Sequence, residues 1–137
     1  MLPESEIFIR FAAATVIGLI IGFTRRHKPA GMRTFALIIL GCTMFTVISI
    51  EFSPPGSDSF SRILAQIISG IGFLGLGVIW KQGIAQPSGI TTAAGIWVAA
   101  AIGIMIGLAM WPEAIIGTIM AIFVMFSKHA LQEMHME

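Results

Sequence analysis

The sequence predicts an all-α polytopic membrane protein, a bundle of about five transmembrane helices, and three observations carry that prediction. Of the 137 residues, 56% are hydrophobic and only 11% are charged, whereas an ordinary soluble domain has about 25% charged residues; the mean hydropathy is +0.92. Apolar runs recur at about 7–23, 34–50, 60–80, 91–110 and 113–126, and roughly 20 such residues cross a hydrocarbon core about 30 Å thick. None of these runs alternates polar and apolar residues as a barrel strand does, and a helix satisfies its backbone hydrogen bonds within its own segment. Residues 1–137 therefore read as a single transmembrane domain whose first partner is the lipid bilayer, with no basic surface of the kind that binds nucleic acid.

The first span follows Glu4 and Glu6 instead of a basic flank and is interrupted by Arg10, so it is expected to be retained and not cleaved as a secretory signal. The second contains Cys42, the chain's one cysteine, which excludes an intramolecular disulfide and is expected to pack as a small apolar thiol. Basic residues mark the cytoplasmic side: Arg25, Arg26, Lys28 and Arg33 flank the first connection, Lys81 the third, and Lys128 follows the last span. The second connection, EFSPPGSD, has none, and neither does the fourth around Trp111 and Pro112. Five spans then place the N-terminus outside and the C-terminus in the cytoplasm, with Trp80 and Trp111 as interfacial aromatics.

In the third span the run SGIGFLGLG, residues 69–77, contains the spacing GxGxxG. That fingerprint cradles a dinucleotide phosphate only between a strand and a helix, with an acidic residue roughly 20 positions on; here apolar residues flank it and no Asp or Glu occurs from Lys81 through Pro112. Small residues in lipid let helix backbones approach closely, and packing is the better reading. On a helical wheel Gly70 and Gly77 fall on one side of the third span, with Gly72 and Gly75 nearly opposite, so this helix is expected to be central or sandwiched between its own chain and a second subunit. The fourth span repeats Gly95, Ala99, Gly103 and Gly107 at four-residue intervals, the first has Ala14, Gly18 and Gly22, and the fifth has Gly117 and Ala121.

Polar residues inside apolar spans are candidate functional groups. Arg62, Gln66 and Ser69 share a narrow arc of the third helix, and Arg10 lies at a comparable depth in the first; they read either as a solute-contact stripe or as arginines that snorkel or pair with Glu6, Glu51, Asp58 or Glu113. On the cytoplasmic side Arg25, Arg33 and Thr34 face the stretch PSGITT, where Ser88 or Thr91 would cap the fourth helix and, with Thr92, hold an anion. His129, Glu133 and His135 form at most a loose cluster, short of a four-ligand metal site, and no nucleophile with its base or paired carboxylates is visible. No metal and no cofactor is expected.

Three stretches in order, KPAGMRTFAL (28–37), SRILAQIISGIGFLGLGVI (61–79) and GITTAAGIWVAAAIG (89–103), together with RFAAATVIGLIIGF in the first span, resemble the N-terminal membrane domain of the MgtC/SapB family. The resemblance implies a bacterial inner-membrane protein of about five helices with a cytoplasmic C-terminus. It implies an association with growth at low magnesium, survival in macrophages, restraint of the F-type ATP synthase, or acid tolerance. Three positions depart from the family pattern: Thr24 stands where an acid is common, Phe35 where a histidine is common, and Gly95 where a polar residue often occurs. A mechanism that needs that acid or histidine does not carry over. The MgtC branch also has a soluble C-terminal domain, whereas this sequence ends at Glu137, shortly after its last span.

The sequence thus favours a non-enzymatic membrane module acting by helix-to-helix contact, as a homo-oligomer or as a regulator of another inner-membrane complex. The alternative is a small oligomeric transporter or channel for an ion or anionic solute.

Overall fold

The computed structural model describes residues 1–25, 30–79 and 89–134, with side chains through Phe126. Among the described residues there are five helices and no strand: α1 (Glu4–Phe23), α2 (Met32–Phe52), α3 (Ser59–Ile79), α4 (Ile90–Gly107) and α5 (Trp111–Met134). The first four are long and apolar enough to cross a membrane, and α5 has a shorter apolar part, Trp111–Phe126. The chain is a helical membrane protein.

Helix α4 touches each of the other four helices, and α2 packs on α1, α3 and α4, whereas α1 and α3 do not meet. This places the core on α2 and α4 and corrects the expectation that the third helix is central. Only 17% of the α3 span is buried, against 44% for α2 and 50% for α4. Its inner face is Ile67, Ile71 and Gly75.

Glycine explains the difference. A Cβ added at Gly103 would stand 2.6 Å from the Ile39 carbonyl oxygen, and one at Gly107 2.5 Å from the Thr46 Cβ, so α4 lies against α2 with no room for a side chain of its own at those points. Ala99 is buried in the same row. On the other flank of α2, a Cβ at Gly18 would overlap the Ala36 Cα and one at Gly22 the Met32 Cα. Such contact replaces the hydrophobic drive that lipid does not supply. In α3, by contrast, only Gly75 has a neighbour, the Ala93 Cβ at 3.5 Å; Gly70, Gly72 and Gly77 have nothing within 4 Å. Among the described residues these three glycines make no close helix contact.

Polar groups fasten the same contacts. The buried Thr43 hydroxyl is 2.9 Å from both the Ile39 and Gly103 carbonyl oxygens, Thr46 donates to Cys42 O at 2.8 Å, and Ser49 donates to Phe60 O at 3.2 Å, tying α2 to the start of α3. Helix boundaries follow backbone chemistry. After Gly107, Ala109 adopts φ 56°, with Ala109 N–H bonded to Ile106 O and Met110 N–H to Met105 O. That is the paired carbonyl closure of a Schellman end, so the fourth helix stops earlier than 110 and the fifth begins at Trp111, where Pro112 in the first turn needs no donor. Helix α4 starts from Gly89 at φ 81°, a left-handed conformation open to glycine. Gly89 therefore takes the N-cap position expected of Ser88 or Thr91; Thr91 lies within the first turn, and Ser88 lies outside the described residues, as do Trp80 and Lys81.

Replacing Gly18 by Ala is expected to cost about 1–3 kcal/mol of stability, the usual range for forcing atoms into a filled core, whereas Gly70→Ala should change it by less than about 0.5 kcal/mol. Thermal unfolding in one detergent, followed by circular dichroism, compares them; equal losses would refute this account of the packing.

Candidate functional site

The four arginines with described side chains at the two ends of the bundle have different surroundings. Arg10, on α1, is buried at 4% exposure. Its Nη1 donates to Gly107 O, the carbonyl at the end of α4, and its Nη2 pairs with Glu6 one turn back. A cation set against the negative end of a helix dipole and a carboxylate is electrostatically satisfied, leaving only its buried Nε without a partner. Arg62 is exposed on α3. Because α1 and α3 make no contact, the structure does not bring Arg10 into a stripe with Arg62, Gln66 and Ser69. Those three stay together on α3, all exposed, and Arg62 and Gln66 line a groove between α2 and α3.

At the opposite end Arg25, just past α1, is also buried, at 8% exposure. Its Nη2 donates to the Thr92 hydroxyl at 2.5 Å, Nε has no partner, and among the described residues it forms no ion pair. Burial pushes the Arg25 guanidinium below its ordinary value. Thr92 is buried at 2% in the first turn of α4. The structure therefore joins Arg25 to Thr92, while Thr91 is exposed. Arg33 and Thr34 sit apart in the first turn of α2, where they line both the groove and a smaller cavity of about 330 Å³.

The three departures from the family pattern meet beside Arg25. The Thr24 hydroxyl lies 3.5 Å from the Met125 sulfur, and a Cβ at Gly95 would stand 2.9 Å from the Met125 Cε and 3.4 Å from the Phe35 ring. Phe35 is fully buried. Large Phe35 facing small Gly95, with Met125 filling the rest, makes an apolar plug.

The groove has a volume of about 900 Å³, and its walls include Leu37, Gly41, Cys42 and Phe45 of α2 with Ile67, Gly70 and Leu74 of α3. The buried polar row Thr43, Thr46 and Ser49 was not foreseen, although polar residues three apart in an apolar span are a readable signal of a helix contact. Among the described residues no cluster of three metal-ligating side chains occurs. The side chains of His129 and Glu133, and all of His135, lie outside the described residues.

A sequence model of the MgtC family matches residues 11–134. The chain is similar to Protein SrpB of Synechococcus elongatus, with 33% identity over 147 residues covering 96% of this chain and 81% of that protein. It is similar to Protein MgtC of Brucella abortus, 43% identical over 115 residues, and to Protein MgtC of Salmonella typhimurium, 43% identical over 113 residues. It spans 47% of the length of each of these two MgtC proteins. No solved structure matches the chain.

Arg10→Gln is expected to destabilise the fold by about 1–3 kcal/mol, because Gly107 O and the arginine's site are left imperfectly paired, while Arg62→Gln should stay within about 0.5 kcal/mol. Chemical or thermal unfolding of both variants measures this, and an equal response would show that Arg10 is not the buried tie described.

Proposed function

The chain belongs to the MgtC family, and from that premise we propose that it is a non-enzymatic module of the bacterial inner membrane that works by helix-to-helix contact. The observation that carries this reading is the unpartnered outer face of α3. Ser61, Ala65, Ser69 and Gly72 are exposed and fall within an arc of about 80° at 100° per residue. Among the described residues nothing lies within 4 Å of a Cβ placed at Gly72. Small and hydroxylated residues on one face are what a neighbouring helix needs for close approach in lipid. Inside this chain that device is used to seat α1 and α4 on α2; on α3 it is left free for a second copy or for another membrane complex. The family's association with growth at low magnesium and with the F-type ATP synthase makes membrane complexes of that kind the partners to test. On this reading the N-terminus is outside, and the basic connection between α1 and α2 is cytoplasmic.

The second reading, a small oligomeric transporter or channel, draws on Arg62 and Gln66, which share the groove and whose side chains make no hydrogen bond or ion pair among the described residues. A solute pathway needs polar groups along its length, and the groove has apolar walls between its two ends. Contact is therefore the better supported function. Flux of Mg²⁺, protons or phosphate in reconstituted vesicles, abolished by Arg62→Ala, would reverse that order.

Cysteine placed at Ser69 or Gly72 in a Cys42→Ser background is expected to crosslink in native membranes, to the same position of a second copy or to one defined partner. Cysteine at the exposed positions Phe8 and Ile115 should not. Uniform crosslinking at all four positions, or none at α3, would defeat the proposal.

A further inference from the structure

We propose that the groove between α2 and α3 holds one acyl chain of an anionic phospholipid, with the lipid phosphate against Arg33 and Thr34. The groove, about 900 Å³, has walls that are apolar along its middle, and at the start of α2 it shares Arg33 and Thr34 with the adjoining cavity of about 330 Å³ formed with Gly31 and Met32. The slot carries Arg33 and Thr34 at one end and Arg62 and Gln66 at the other; the Arg33 end, which opens into the small pocket, and the apolar middle together have the outline of an amphiphile with an apolar tail and an anionic head.

Charge and size select this occupant. Among the described residues, Arg33 forms no ion pair. Among the described side chains the carboxylates are those of Glu4, Glu6, Glu51, Asp58 and Glu113, all at the opposite end of the helices, at the starts of α1, α3 and α5 and the end of α2; the side chains of Glu133 and Glu137 lie outside the described residues. A phosphate from the leaflet beside the basic connection supplies a counter-charge for Arg33, and basic pockets between transmembrane helices do hold anionic headgroups. A second copy's helix is about 10 Å across with its side chains and brings no carboxylate to Arg33 from its span, since residues 7–50, 59–112 and 114–132 contain no Asp or Glu. An extended hydrocarbon tail is far narrower. Because a tail moves from bilayer to groove, hydrophobic transfer adds little; retention rests on the Arg33 charge and on filling the slot.

The full chain, reconstituted in nanodiscs of equal phosphatidylglycerol and phosphatidylcholine and released for native mass spectrometry, tests the proposal. One phosphatidylglycerol per chain should be retained, at least tenfold in preference to phosphatidylcholine. Arg33→Gln should bring that preference near parity. Gly41→Leu combined with Gly70→Leu should abolish retention, since both side chains would grow into open groove space. Ala94→Leu, exposed on α4 and outside the groove, should leave retention unchanged. If the double variant loses its helical circular dichroism, Gly41→Leu alone supplies the same reading. Retention that survives the groove-filling changes would mean surface lipid only and overturn the proposal. So would an unchanged preference in Arg33→Gln, or Arg33-dependent binding of inorganic phosphate with no phospholipid retained.

Discussion

Between α4 and α2 there is no room for a side chain at Gly103 or Gly107, and the rest of the bundle is arranged around that approach. Lipid tails solvate leucine as well as another helix does, so burial alone does not hold membrane helices together; van der Waals contact and hydrogen bonds do. Where Gly103 removes its side chain, its carbonyl comes within 2.9 Å of the Thr43 hydroxyl, so one residue supplies both forces. Helix α1 uses the same device on the other flank of α2 through Gly18 and Gly22. Helix α2 thus acts as a spine, presenting its backbone to glycines from both neighbours while contributing no close-packed glycine of its own: Gly41 has open space around it.

The arginines report what each end of this arrangement demands. Arg10 replaces a missing capping group at the end of α4, where the Schellman turn closes some carbonyls and the guanidinium takes that of Gly107. A buried charge so held is costly to remove, although the pair as a whole adds little net stability over an apolar alternative. Arg25 has the weaker position, with one neutral hydroxyl and no carboxylate among the described residues. Its neighbours Thr24, Phe35, Gly95 and Met125 form an apolar plug.

Much of the architecture was legible because membranes restrict the choices. Length and hydropathy gave the helices, and the four-residue spacing in α1 and α4 gave the faces that pack. The third helix shows where that reasoning stops. Its glycines have the same periodicity, but periodicity reports that a face exists, not which faces find a partner within one chain. The ends of α4 were illegible for another reason. Ala109 takes a left-handed conformation without being glycine, while Gly107, the tempting terminator, is spent on packing. The two intramembrane arginines looked equivalent by depth; only the order of helices around α2 and α4 shows that Arg10 and Arg62 belong to separate surroundings.

Helix α3 packs through Ile67, Ile71 and Gly75, the last against Ala93, and Ser49 donates to its Phe60 carbonyl; two further faces stay exposed. One lines the groove and the other presents Ser69 and Gly72. Any occupant of the groove that prefers one placement of α3 biases how the outer face is offered, and by linkage a partner on the outer face changes the occupant's affinity by the same factor. The size of that coupling is bounded by the difference in the occupant's affinity for the two placements. A helix packed by side chains, without the close glycine-to-backbone contacts that join α1 and α4 to α2, is a suitable place for such coupling.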